Sequence, residues 1–242
     1  MNLDAEKMNQ CLGSAGTQAA GLWEFLKEGA MSKTLHAGKS CYAGVLSAYL
    51  ARDGFTAASE ILEGEKGFCR AMMKEPKLYK LTENIGNGKF KIDDNSFKPY
   101  ACCKHTHAAN FAVKVFRGEK NISPQDVEEI ALYVNKITGY LVDNPDPQNP
   151  YGCKFSIQYC VAAMLKHGQL GVGQFAPDVI NDEEVRSLMK KIRVIEDPAI
   201  EKIFLEDSTK LASKIIVKLK DGSVLENTHL FLLIACKVLS LY

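Results

Sequence analysis

Helical periodicity opens the chain. Met8, Cys11, Leu12, Ala15, Ala19, Leu22 and Phe25 fall near a 3.6-residue repeat, which predicts one helix stopped by Gly29. Its small residues Gly13, Ala15, Gly16, Ala19, Ala20 and Gly21 leave room for a second helix to approach closely. Lys33 is then expected in a loop, followed by another helix rich in small residues over about His36 to Ala51 and ended by Asp53-Gly54. Shorter helices are expected over Ala57–Leu62 and Gly67–Met73. Past Pro76 the pattern changes. Lys89–Asp93 alternates as a short strand does, and Asn95–Pro99 reads as a turn into an extended piece, because a proline disfavours helical geometry in the residue before it. Helix returns over His107–Phe116 and is expected to end at Gly118. Ser123–Asp126 carries a helix or turn start, Ile130–Val134 reads as a strand, and three prolines make Asp143–Pro150 a loop. Phe155–Leu165 is helical and closed by Gly168, Asp182–Lys191 is an amphipathic helix, and Ile192–Ile195 and Lys214–Leu219 are strands, the latter followed by an Asp221-Gly222 turn of hairpin type. Helices therefore dominate the first part and an α+β unit follows, the change falling between about residues 95 and 118.

Composition narrows the classes of function. A length of 242 residues suits one large domain or two smaller ones, and 46% hydrophobic with 24% charged residues is ordinary for a globular chain. Thirty Lys and Arg against 29 Asp and Glu leave a net charge of +1, so bulk electrostatics gives no case for nucleic acid or a membrane surface. Met1–Lys7 carries acids and no apolar core, unlike a secretory signal, and the apolar stretch from His229 to Tyr242 is interrupted by Lys237 and too short to span a bilayer. The eight cysteines show no CxxC spacing and read as reduced core thiols of a cytoplasmic protein. Cys102, Cys103, His105 and His107 are of zinc-ligand type, but adjacent cysteines chelate one ion poorly and no second pair stands at finger-like spacing, so no metal is expected. Gly168, Gly171 and Gly173 follow a helix rather than a strand, so they do not make a dinucleotide fingerprint, and no cofactor is expected.

Two segments carry chemistry. Ser32–Lys39 and Phe97–His107 each place lysine and histidine beside small residues, just ahead of an apolar helical pattern. Backbone amides at a helix start favour anions, and Lys and His can move protons. Brought together, such segments would make a site for a multiply charged carboxylic acid. On composition alone Lys33 reads as a solvated surface lysine and His107 as a capping or core histidine.

The motifs Ser32-Lys33-Thr34-Leu35-His36-Ala37-Gly38, Ala43 to Ala51, Gly54-Phe55, Ile61 to Phe68, Phe97-Lys98-Pro99-Tyr100, His107-Ala108-Ala109 and Lys154 to Tyr159 occur in an order and spacing that resembles the MmgE/PrpD family, over about residues 5 to 225. That family includes 2-methylcitrate dehydratase, cis-aconitate decarboxylase and iminodisuccinate epimerase. The resemblance implies a lyase of propionate catabolism, independent of metal and cofactor, that acts on a small polycarboxylate, dehydration of a 2-methylcitrate-like hydroxy acid being the expected reaction. It implies Lys33 and His107 as catalytic groups, and since pockets favour domain junctions they are expected to face one cleft within roughly 10 Å; from their positions His36, Lys39, Tyr140 and Lys154 read as candidate substrate-binding groups, a solvated lysine and a packed aromatic being the plainer readings of Lys39 and Tyr140. Family members are longer and begin with a further helical segment. The expected fold is therefore mainly α with an α+β part: an incomplete all-helical domain over residues 1–100, a smaller lid-like α+β domain over 101–226, and a divergent apolar tail over 227–242. A homodimer, or a partner chain supplying the missing helices, is expected. The alternative is a truncated, non-catalytic remnant or interaction subunit.

Overall fold

The computed structural model describes residues 1–88, 90, 92 and 97–232, the last two of these by backbone alone. Among them are ten α-helices and one four-stranded sheet, a mainly α protein with an α+β part. The chain forms two compact units: Met1–Phe25 with Met31–Lys89, and Leu26–Ala30 with the chain from Phe90 onward. No helix among the described residues is long and apolar enough to cross a membrane.

The first unit is built on α1 (Ala5–Gly16) and α3 (Ser32–Arg52). The Asp4 carboxylate starts α1 by accepting from the Lys7 amide at 2.8 Å. The helix ends at Gly16 instead of running to Phe25. The Gln18 side chain donates to the Ser14 carbonyl at 2.9 Å, taking the acceptor that a continuing helix would offer the Gln18 amide, and that amide turns to Ala15. The segment expected as a third helix, residues 57–62, is extended and then turned. The Gln10 side chain accepts from the Ala57 amide at 2.5 Å, and the segment lies so close over α1 that a Cβ on Gly13 would stand 2.6 Å from the Ala58 carbonyl oxygen. The small residues of α1 thus admit an extended chain. α3 begins at Ser32, with the Thr34 hydroxyl donating back to the Met31 carbonyl at 2.7 Å, so Lys33 is helical and not in a loop. α2 (Phe25–Glu28) precedes it, and α4 (Phe68–Met72) follows the turns as expected. The strand expected over Lys89–Asp93 falls largely outside the described residues.

The second unit holds the sheet, in the order β2 (Ile192–Glu196), β1 (Val127–Val134), β3 (Lys210–Leu219), β4 (Val224–Leu232). β1 pairs parallel with β2 through Ile130–Ile192 and antiparallel with β3 through Ile130–Val217. β3 and β4 form a hairpin whose turn has Gly222 at φ +88°, and residues 227–232 belong to β4. α5 (His107–Lys120) runs past Gly118 and stops at Asn121, which takes the left-handed conformation at φ +51°. α8 (Ile157–His167) is buried from Ile157 through Leu165, which is why its sequence is apolar on every side. With α5, α9 (Glu183–Met189), β1 and β3 it makes the main core.

Three helices lie where none was expected. α6 (Lys136–Val142) is capped by Asn135 accepting from the Thr138 amide, α7 (Pro150–Cys153) by Asn149, and α10 (Pro198–Glu206) by Asp197 with proline in its first turn.

Candidate active site

The Lys33, His36 and Lys39 side chains rise from α3 at three-residue spacing, which sets them along one side of the helix. Lys33 and Lys39 are exposed and His36 half-buried. The His36 ring meets Phe25 edge-on, centroids 5.7 Å apart, and packs over Gly21, whose φ of +143° and missing Cβ leave that ring its place. The Lys39 ammonium lies 3.5 Å from the Gln18 amide oxygen and 5.1 Å from the Tyr42 ring centroid. All three therefore sit within the first unit, His36 held by aromatic packing and Lys39 by Gln18 and Tyr42.

The second unit carries the rest. Residues 97–107 lead into α5 through a 3₁₀ turn over Lys104–Thr106. The segment is fastened at two points flanking α8: the Ala101 amide donates to the Leu170 carbonyl at 3.0 Å and the Cys103 amide to the Lys154 carbonyl at 2.9 Å. So Lys154 is joined by its backbone to the stretch that bears His107, while its ammonium stands 5.7 Å from the Phe175 ring centroid. Tyr140 is 78% exposed on α6. That helix is tied to the same stretch by His105, whose Nδ1 lies 2.8 Å from the Thr138 hydroxyl. His105 thus positions the element that presents Tyr140.

His107 is the most enclosed of the candidates, with no exposed surface. Tyr100 packs edge-on against its ring at 5.1 Å, and the Cys102 sulfur lies near enough for His107 to favour negative charge there. Two cations that the sequence reading did not single out as ligands stand near His105 in the same stretch. Lys98 is exposed and its ammonium lies 3.4 Å from the Cys102 carbonyl; Lys104 is half-buried. Their effect is visible on His105. Burial first, and then the charges of Lys104, His107 and Lys98, push its pKa down to about 4, so His105 is neutral near pH 7. Such a collection of positive groups next to a helix start is suited to a carboxylate-rich anion. Lys98 was legible in the sequence as part of Phe97-Lys98-Pro99-Tyr100; what was missing was its neighbourhood. Among the described residues no three His, Cys, Asp or Glu side chains are grouped to hold a metal ion.

A helical unit followed by an α+β unit, with lysine and histidine gathered at the starts of α3 and α5, defines a two-domain protein with cationic candidate sites. The model of the MmgE/PrpD N-terminal domain matches residues 1–80 and that of the MmgE/PrpD C-terminal domain residues 100–231. The chain belongs to the MmgE/PrpD family. It is 26% identical to human cis-aconitate decarboxylase over 230 residues, which is 92% of this chain and 46% of that protein. It is 27% identical to cis-aconitate decarboxylase of Aspergillus terreus over 243 residues, 92% of this chain and 48% of the other. The 2-methylcitrate dehydratase of Escherichia coli K12 matches at 27% over 103 residues, 42% of this chain and 21% of that enzyme. The chain thus spans about half the length of the decarboxylases it matches.

Proposed function

We propose that this chain serves a lyase reaction on a di- or tricarboxylate, the finer reading being dehydration of a 2-methylcitrate-like hydroxy acid. The observation that carries it is the pair of lysines ahead of α5, Lys98 and Lys104, in the same stretch as His107 at the helix start, inside the region matched to the family's C-terminal domain. In this reading a base removes a proton beside a carboxylate, an acid assists departure of the β-hydroxyl, and ammonium groups stabilise the charge that develops on the neighbouring carboxylate. Lys33 holds a carboxylate or relays a proton, and His107 is the acid/base. His36, Lys39, Tyr140 and Lys154 bind substrate. His107 is fully buried, with Tyr100 packed edge-on against it, so its surroundings must open for His107 to meet substrate. Decarboxylation passes through a related carbanion, and the relatives matched over most of this chain are named for it. The free thiols among the described cysteines fit a reducing compartment such as the cytoplasm.

The test is calorimetric titration of the purified chain with 2-methylcitrate and with cis-aconitate, paired with product analysis by mass spectrometry. Binding that weakens at least tenfold in Lys33→Ala, and turnover that disappears in His107→Gln while binding survives, support the reading. Absence of both binding and turnover with either acid sinks it.

A second reading, an interaction subunit, draws on α3. Leu35, Tyr42, Val45 and Tyr49 lie along one side of it and are all exposed. Light scattering after gel filtration tests this reading. A strictly monomeric chain that captures no second helical segment counts against it.

A further inference from the structure

We propose that the exposed side of α3 is a docking seam for an apolar helix with acidic flanks, carried by a partner chain. The inference rests on the interaction-subunit reading and states the chemistry that the partner brings.

The spacing of the exposed residues identifies the occupant as a helix. From the N-cap Met31, the positions Leu35, Gly38, Tyr42, Val45 and Tyr49 follow in alternating steps of four and three residues, and all six are exposed. That is the seam of a coiled coil, which an α-helix keeps along one side with a drift of about 20° per heptad. The opposite side of α3, marked by buried Ala43, Ser47 and Ala51, already has its neighbour in α1, and Gln18 just beyond α1 donates to the Ser47 hydroxyl at 3.3 Å. Thus α3 has two apolar sides, of which only one is covered among the described residues. Single exposed apolar side chains are ordinary on a surface, whereas a contiguous, periodic set marks a contact.

The sizes along the seam also suit a facing helix. Large Leu35, Tyr42 and Tyr49 hold one heptad position, and smaller Gly38 and Val45 lie between them at the other. A Cβ built on Gly38 would meet nothing within 4 Å, so a hole stands open between Leu35 and Tyr42 for a side chain from outside. Glycine in mid-helix weakens α3, and close approach of a second backbone gives the position a use.

Charge decides which helix fits. α3 carries Lys33, His36, Lys39 and Arg52 and no acidic residue, and its first turn has neither an acid nor a side-chain cap, so the positive end of the helix dipole adds to the lysines. Two of these cations border the seam: the Lys39 ammonium lies 5.1 Å from the Tyr42 ring centroid and the Arg52 guanidinium 4.8 Å from that of Tyr49. A helix laid over the two rings takes water from both cations. Arg52 keeps Asp53 as counter-ion at 2.7 Å, whereas Lys39 has the neutral Gln18 amide oxygen at 3.5 Å. Covering Lys39 is favourable when the incoming helix brings a carboxylate to it. A second copy of α3 has none to bring and sets lysine near lysine, so an acid-flanked helix from another chain is the better occupant.

The probes are two fluorescein-labelled peptides, each four heptads long with leucine and alanine alternating at the apolar positions. One carries glutamate at the flanking positions and the other lysine, so neither pairs well with itself. Fluorescence anisotropy against the full chain at low salt should show the glutamate peptide bound at least tenfold more tightly than the lysine peptide, the margin shrinking as salt rises. Leu35→Gln combined with Val45→Gln, two exposed changes that alter no charge, should weaken the glutamate peptide at least tenfold, and Lys39→Glu should turn the preference toward the lysine peptide. Light scattering after gel filtration of the chain alone is run beside them. Equal binding of the two peptides, binding that ignores the double substitution, or a dimer that the double substitution dissolves overturns the acidic occupant of α3 and leaves the interaction reading in place. A monomeric chain that binds neither peptide overturns both. A folding defect in a variant does not blunt the test, since the two peptides are compared on the native sequence.

Discussion

His105 offers a quantitative test of the second unit's electrostatics. Its ring is buried, hydrogen-bonded to Thr138, and surrounded by Lys104, His107 and Lys98. Burial and these charges lower its pKa from 6.5 to about 4. In the unfolded chain the same imidazole takes up its proton near 6.5, so between that pH and about 4 the unfolded state binds more protons than the folded one. Stability therefore rises with pH across this window and is lost as acid is added. The 2.5 units between 6.5 and 4, at about 1.4 kcal/mol each, give about 3 kcal/mol lost between pH 7 and 4. His167 and His229 are also lowered by burial and add to the trend. The informative quantity is thus the difference between the native chain and His105→Gln, whose amide can still meet the Thr138 hydroxyl. Trp23 is the chain's only tryptophan and lies in the first unit, so its fluorescence reports on the wrong part. Hydrogen exchange of the α8 peptide, followed by mass spectrometry at several pH values, reports on the core of the second unit. The variant should show a pH dependence shallower by about 3 kcal/mol over the window. Parallel curves for the two proteins would refute the account of His105 as a buried neutral imidazole.

Three further outcomes are expected. Met164→Ala removes a fully buried α8 side chain and should cost about 2–5 kcal/mol, read as a lower urea midpoint by far-ultraviolet circular dichroism. Gly29→Ala places a Cβ 2.7 Å from the Gly152 amide at a φ of +64°, so it should release residues 26–30 from α7 and speed their cleavage in limited proteolysis; unchanged cleavage would contradict the close approach. Asn135→Ala removes the cap of α6 and should cost about 1 kcal/mol, seen as faster exchange over residues 136–142 with the exchange of α5 little changed.

Elements whose burial alternates were legible in the sequence. The pattern of β1 and the hairpin turn at Asp221-Gly222 can be read from periodicity and turn chemistry. The misses have specific causes. α6 and α10 announce themselves by caps, Asn135 ahead of Thr138 and Asp197 ahead of Pro198, and not by apolar period, so a reading led by hydrophobicity passes over them. The early end of α1 depends on the Gln18 side chain reaching Ser14 and Ser47, a tertiary event. The 57–62 segment has helix-forming residues, but its amide at Ala57 is taken by Gln10 and its backbone is pressed onto Gly13, and tertiary contact outweighs propensity.

The candidate site divides along the same line. Residue types are written in the sequence, and the Lys-Thr-Leu-His and Lys-Pro-Tyr motifs bring attention to Lys33, His36 and Lys98. Burial is not written there, and burial sets what each group can do. Lys98 is exposed, whereas His107 is fully buried with Tyr100 packed against its ring. In the proposed reaction, attraction of an anion and proton transfer are therefore separable. Loss of the Lys98 charge should weaken carboxylate binding most at low ionic strength and progressively less as salt rises, since exposed charges act through a screened field. A change at Tyr100 should instead alter access to His107 and leave that salt dependence as it was. On the proposed reading, His107 must become accessible to a bound anion, so its burial, rather than the presence of a histidine, decides whether the cluster can act on a substrate.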